Sequence, residues 1–183
     1  LNKILGEERV IVSPIAGTTR DAIDTYFEKN GQKFLLIDTA GLRRKSKIYE
    51  TIEKYSVIRA MSAVDRADVV LIVIDALEGV TEQDTKVAGI AHDEGKGCIF
   101  VINKWDLIEK DNKTMSNYTK DIKEKFPFMM YAPIVFVSAK TNQRMNKILD
   151  TVEYVSNEHS KRISTSALNR SEERRVGKEC RSR

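Results

Sequence analysis

The chain has 183 residues, 41% hydrophobic and 32% charged, with a formal net charge of +4. That is enough apolar material to bury one sizeable core, so one domain is the default reading, and no run approaches the roughly eighteen apolar residues of a membrane span. The segment Arg170–Arg183 carries a net +3 of that charge, and the nearly neutral remainder makes overall charge a weak sign of a nucleic-acid partner.

Leu1–Gly6 reads as the closing turns of an amphipathic helix. Ile23 to Lys29 and Lys33 to Thr39 alternate as two strands, joined by Asn30-Gly31, a dipeptide suited to a hairpin turn. Glu50 to about Ala63 has helical spacing, with Ile52, Tyr55, Ile58 and Ala60 on or near one face. Asp68 to Asp75 is a continuous apolar strand. Thr81 to about Glu94 is a helix, with Thr81 a cap ahead of Asp84. Gly97 to Asn103 is a second buried strand, Met115 to Phe126 a polar surface helix, Pro133 to Ser138 a strand, and Asn142 to about His159 the last helix. His92 and His159 fall on helices and read as solvated or helix-end residues. Cys98 and Cys180 have neither metal-ligand spacing nor a disulfide pattern, and no signal-peptide pattern opens the sequence, so a cytoplasmic setting is expected. Cys98 reads as a small buried residue. Arg170–Arg183 lacks apolar periodicity and resembles the in-frame translation of a sequencing-library adapter; it is set aside from the fold.

After the hairpin, helices and buried strands alternate. Strands apolar on both faces imply a mostly parallel sheet with helices on each side, a three-layer α/β fold. Ligands of such sheets sit at the carboxyl ends of the strands, which directs attention to the loops after Thr39, Asp75, Asn103 and Val137.

Asn103-Lys104-Trp105-Asp106 follows one of these strands. Guanine offers an N1–H and an exocyclic amine as paired donors. A fixed carboxylate accepts both, while an Asn side chain can bond the N7 edge; the same residue types also make ordinary surface turns. Asp38-Thr39-Ala40-Gly41 ends another strand, where an Asp can hold Mg²⁺ through water. Gly41 lets the backbone approach a terminal phosphate. Ser138-Ala139-Lys140 ends the last strand and can offer a backbone N–H to the guanine carbonyl oxygen. In Gly17-Thr18-Thr19-Arg20-Asp21 a Thr hydroxyl can ligate Mg²⁺ and sense the γ-phosphate, or simply cap a turn.

In this order and at these loops, the four motifs resemble the TRAFAC class of GTPases, with the P-loop (Ras-like) fold. More narrowly, the chain is similar to the second GTPase domain of the Der (EngA) family, tandem-G-domain GTPases of ribosome assembly. Pro14–Asp21, Leu42–Lys47, Glu53–Arg59, Thr81–Asp84 and Ser164–Asn169 carry the narrower likeness. The resemblance implies GTP and GDP as ligands, with Thr19 as the Mg²⁺-sensing threonine and Asp38 to Leu42 as the switch II motif. It implies Asn103, Lys104 and Asp106 as guanine readers, Trp105 as a packing residue at the loop base, and Ser138, Ala139 and Lys140 completing the base pocket. Thr19 and Gly41 take the catalytic roles. Backbone carbonyls of Ser13, Ile15 and Thr18 would face K⁺. Leu42 stands where Ras-like proteins carry a catalytic Gln; a Leu cannot orient water, which fits a potassium-stimulated subgroup. The partners implied are the large ribosomal subunit and its rRNA, and neither a membrane nor DNA.

The resemblance also implies a glycine-rich phosphate loop ending Gly-Lys-Ser just ahead of Leu1. Its strand would lie between Phe34–Thr39 and Asp68–Asp75. Residues 1–165 are thus expected to be a GTPase domain without its first strand, and 166–169 the start of a linker toward a KH-like domain. Such a chain by itself is expected to hydrolyse GTP poorly. Two other readings stand beside this one: a potassium-dependent tRNA-modification GTPase, which shares Gly17 to Asp21, and a nucleotide-free docking module. The basic run Arg43, Arg44, Lys45 and Lys47 is either a solvated loop or a patch touching RNA or a neighbouring domain.

Overall fold

A computed structural model describes residues 23–29, 31–38, 60–109, 111 and 113–161. In chain order its elements are β1 (Ile23–Lys29), β2 (Gln32–Asp38), β3 (Val69–Asp75), α1 (Glu82–Asp93), β4 (Gly97–Asn103), α2 (Thr114–Lys125), β5 (Ile134–Phe136) and α3 (Asn146–His159). Residues 60–66 are helical and lead toward β3. Single 3-10 turns, Trp105–Leu107 and Pro127–Met129, flank α2.

The uncharged run of β4 forms the centre of a parallel sheet ordered β3-β4-β5. Its side chains alternate between two cores. Cys98, Phe100 and Ile102 face Ala88 and Ala91 of α1 and Ile122 of α2. Ile99 and Val101 face Ile148 and Val155 of α3. The three layers expected from the sequence follow from this alternation, since a strand apolar at every position needs a cover on both faces. Each fully buried Ile or Phe contributes roughly 1.5–3 kcal/mol. Gly97 is required where α3 crosses the start of β4: a Cβ there would lie 2.8 Å from Val155 Cγ1.

Thr81 caps α1 as the sequence suggested. Its hydroxyl accepts from Asp84 N, and the Asp84 carboxylate accepts from Thr81 N. The last helix begins at Asn146 rather than Asn142, because Ser138 and Gln143 exchange backbone bonds of 3.1 Å and close a small loop first. β5 is correspondingly shorter than its apolar run.

β1 and β2 form the expected antiparallel hairpin, separate from the parallel sheet, with Lys29 opposite Gln32 across the turn and Gly31 at φ +79°. Phe27 and Phe34 stack across the strands with centroids 5.0 Å apart. This hairpin shares no ladder with β3. Between β2 and β3, where the resemblance leaves room for a further strand, runs a cleft of about 820 Å³. Phe34, Leu36, Val64, Val69 and Leu71 are among its lining residues.

Candidate functional site

The parallel register aligns Asp75 with Asn103, so β3 and β4 end side by side. Lys104, the residue after β4, has left-handed backbone, φ 62° and ψ 30°, a conformation that costs a non-glycine residue about 1–2 kcal/mol. It turns the chain into Trp105–Leu107. Trp105 anchors this turn: it is 3% exposed, its ring lies 4.4 Å from the Phe136 ring and edge-on to Tyr118 at 5.4 Å, and its backbone N–H donates to Val137 O at 3.0 Å. A packing role for Trp105 is what the sequence led us to expect.

Two loops meet here. Ala139 N–H donates to Asn103 Oδ1 at 3.1 Å, so the Asn103 amide oxygen is engaged and its nitrogen is left as the donating end. Ser138 is wholly buried, and its hydroxyl accepts from Thr141 N at 3.1 Å. Asn103, Lys104, Asp106, Leu107, Ala139 and Lys140 line a pocket of about 360 Å³, within the usual size range of small-molecule sites. The structure therefore brings Asn103, Lys104, Asp106, Ala139 and Lys140 of the sequence-selected residues onto one pocket, while Trp105 and Ser138 are buried and are not among its lining residues.

Others do not enter this picture. Ser13, Ile15, Thr18, Thr19, Thr39, Ala40, Gly41 and Leu42 lie outside the described residues, as do the basic run Arg43–Lys47 and the segment from 162 onward. Asp38 closes β2, but its side chain also lies outside them. Among the described residues no cluster of three or more His, Cys, Asp or Glu is arranged to hold a metal, and no helix is long and apolar enough to cross a membrane.

Asp75 and Tyr118 belong to the site although the motifs did not mark them. The Asp75 side chain is 8% exposed; its Oδ2 sits 2.5 Å from Lys104 Nζ, and its Oδ1 accepts from Leu77 N at 3.0 Å. Burial alone would push this carboxyl up, but the Lys104 ammonium and the Leu77 and Glu78 N–H groups outweigh it and hold the group below the usual range. Tyr118 donates its hydroxyl to Ala76 O at 2.7 Å, and Ala76 N donates to Asn103 O at 2.9 Å. Burial first, then the Asp75 and Asp121 charges, raise the Tyr118 hydroxyl and keep it protonated as a donor. A lone carboxylate closing the apolar run Val69–Ile74 was the one signal available in the sequence.

The remaining titratable candidates have structural roles. Cys98 is 1% exposed and burial pushes its thiol up to about 11, so it is inert. His92 ends α1 with Nδ1 3.2 Å from Tyr131 Oη, and His159 ends α3 with Nε2 2.6 Å from Gly95 O. The larger cleft beside β3 is lined by strand residues and aliphatic side chains together with polar ones that include Lys33, Arg66, Asp68 and Glu153, and none of the sequence-selected site residues is among them.

A family model described as "50S ribosome-binding GTPase" matches residues 1–104. The GTPase Der of Alkaliphilus metalliredigens (strain QYMF) is 64% identical over 169 residues, 92% of this chain and 38% of that protein. The GTPase Der of Geobacillus thermodenitrificans (strain NG80-2) is 59% identical over 169 residues, 92% of this chain and 39% of its own. The chain thus spans about two fifths of the length of these curated relatives. Among solved structures, an Aquifex aeolicus Era variant bound to GDP·AlF4⁻ superposes with a TM-score of 0.62 at 29% identity, covering 82% of this chain and 50% of that one. Era in complex with MgGDPNP and nucleotides 1506–1542 of 16S ribosomal RNA gives the same TM-score and identity, covering 82% and 49%. A probable GTP-binding protein, engB, shares the fold at 15% identity, with a TM-score of 0.61 over 86% of this chain and 90% of that one.

Proposed function

This chain belongs to the 50S ribosome-binding GTPase family, and from that premise we propose that the pocket after β4 reads a guanine base within a switch protein that converts GTP and water to GDP and phosphate. The observation that carries the reading is the bond between Asn103 Oδ1 and Ala139 N, which locks the two base-facing loops together and turns the Asn103 amide nitrogen into a donor. Guanine N7 is an acceptor and suits that nitrogen. Asp106, on the pocket wall, would accept from N1–H and the exocyclic amine, a donor pair that adenine lacks. Lys104 and Trp105 form the turn beside the base, and Ser138 to Lys140 close the pocket around its carbonyl oxygen.

The phosphate side of the mechanism draws on Asp38 to Leu42 and on Thr19. Asp38 and Thr19 would hold Mg²⁺. One carboxylate and one hydroxyl suit that ion, which keeps several waters and shares phosphate oxygens; when bound it neutralises charge developing on the transferred phosphoryl group. Gly41 would offer its N–H to the terminal phosphate. The backbones of Ser13, Ile15 and Thr18 would face K⁺, whose charge can substitute for the missing Gln at Leu42. As partner we propose the large ribosomal subunit and its rRNA, during subunit assembly. The family's description supports a ribosomal setting.

Competition titrations of this chain with fluorescent GDP and ADP test the base reading. We expect GDP to be preferred by about a hundredfold, since a site built to hydrogen-bond a substrate rejects the analogue that lacks the groups. Equal affinity overturns the proposal. Turnover of the chain joined to the upstream segment of the Alkaliphilus metalliredigens relative, in KCl against NaCl at equal ionic strength, tests the K⁺ assignment, which fails if the rates match.

A further inference from the structure

We propose that Asp75 is a positioning residue for base recognition: by bonding Lys104 it holds the left-handed turn after β4 in the shape that lines the base pocket. This rests on the reading of that pocket as the base site.

The two carboxylate oxygens of Asp75 do separate things. Oδ1 accepts from Leu77 N at 3.0 Å and so caps the turn in which Gly79 N donates to Asp75 O at 2.9 Å. Oδ2 reaches out of that turn to Lys104 Nζ at 2.5 Å. A residue needed only to cap its own turn would use one oxygen. The second oxygen joins the end of β3 to the neighbouring loop, and Lys104 is at once its partner and a wall of the pocket.

The pair is also unequal in a way that assigns direction. The Asp75 side chain is 8% exposed and the Lys104 side chain 52%. Asp75 is held by strand register opposite Asn103 and by its turn, so it is the fixed end. Lys104 has a long flexible stem and a strained backbone, φ 62°, so it is the end being held. A buried carboxylate deprived of its cation is costly, which keeps the bond closed while the pocket is empty. The base-reading turn is thereby set before a nucleotide arrives, and binding need not order it.

Asp75→Asn separates the two roles, because its side chain can still accept from Leu77 N but presents an amide where the ammonium needs an oxygen anion. Lys104→Gln breaks the same bond from its half-exposed end and serves where Asp75→Asn fails to fold. Trp105 is the sole tryptophan of the chain and follows Lys104 directly, so its fluorescence reports on this turn with or without nucleotide. In the full 183-residue chain we expect each single substitution to raise acrylamide quenching of Trp105 about threefold, and the double substitution to add nothing further, as for two members of one interaction. We also expect the preference for GDP over inosine diphosphate, which lacks the exocyclic amine, to fall about fivefold in each. A loss of stability alone would leave that ratio unchanged. Quenching equal to the parent in both single variants, or effects that multiply in the double variant, overturns the positioning role. If the parent itself does not distinguish GDP from inosine diphosphate, the base-site reading fails, and the quenching cycle still decides whether Asp75 holds the turn.

Discussion

β4 and β2 are both seven-residue strands with apolar centres, yet they end in different surroundings. In β4 every residue from Gly97 to Ile102 is buried. In β2 Phe34, Leu36 and Ile37 are only half-buried and Leu35 is 40% exposed. β4 has a parallel neighbour on each edge and a helix layer on each face. Among the described residues β2 has β1 on one edge and the cleft on the other. β3 repeats the contrast within one strand: its β4-facing edge is paired, while Val73 is 51% exposed. Burial here is conferred by neighbours, and among the described residues the hairpin has fewer of them. The base pocket belongs entirely to the well-neighboured side.

The comparison is sharpest in stability. Phe100 is 2% exposed and packs on Phe126 with centroids 4.6 Å apart; Phe100→Ala should cost about 3–5 kcal/mol. Phe34→Ala, on the half-buried strand, should cost less than about 2 kcal/mol. Urea unfolding followed by circular dichroism gives both values. Equal losses would mean that the two sides share one core, and the contrast would be lost.

Filling the cleft should have the next largest effect. A residue in a sheet takes about 3.3 Å of rise, about 4.8 Å between strands and about 10 Å of layer depth, roughly 160 Å³, so the cleft has room for about five residues of one strand. Joining to Leu1 the upstream segment of the Alkaliphilus metalliredigens relative should raise affinity for a fluorescent GTP analogue about a hundredfold or more. Two added charge-assisted bonds to phosphate, at about 1.5–3 kcal/mol each, are sufficient for that. Tight Mg²⁺-dependent binding by the chain without the segment would show that the phosphate-side groups have been overvalued relative to the base pocket.

Asp106→Asn probes the other side. It should lower GTP affinity about tenfold or more through loss of one charged hydrogen bond, and shift preference toward xanthine nucleotides, whose ring presents an acceptor where guanine has its amine. Equal losses of GTP and XTP binding in competition would remove Asp106 from base recognition.

These two sides were not equally legible in the sequence. The unbroken apolar run Cys98–Ile102 could only be a buried strand, and Asn103, Asp106 and Ser138 stood at strand ends, where ligands of parallel sheets bind. What joins them was hidden. The bond of Asp75 to Lys104 depends on β3 and β4 ending in register, and that of Ala139 to Asn103 on two loops 36 residues apart. Spacing along a chain does not encode either. The start of α3 was misplaced at Asn142 for a local reason: Asn142 and Arg144 adopt φ of 62° and 58°, conformations that helical periodicity does not anticipate. His92 and His159 have partners 39 and 64 residues away, beyond the reach of any local pattern. The hairpin was readable from Asn30-Gly31 and its alternation, whereas its attachment to the rest was not.

That attachment gives the smallest predicted effect. Among the described residues, polar links between hairpin and body include Arg66 to Asp24, Lys29 to Asp150 at 3.8 Å, and Gln32 to Glu153 at 2.9 Å. Arg66 is 48% exposed and Asp24 29%, so water and ions reach the pair. Exposed pairs of this kind contribute about 0–1 kcal/mol each, and at 1 M salt the screening length falls to about 3 Å. Arg66→Gln should therefore leave the midpoint of global unfolding within about 1 kcal/mol of the parent. Its effect should be local: amide hydrogen exchange in β1 and β2 should quicken several-fold, as it should in the parent on raising NaCl, while β4 amides keep their protection. The hydrophobic contribution of Phe27, 6% exposed, is insensitive to this change and sets a floor below which the hairpin will not loosen. If Arg66→Gln or salt accelerates exchange in β4 as much as in β2, the two sides open as one unit and the difference between them is one of burial alone, without independent motion.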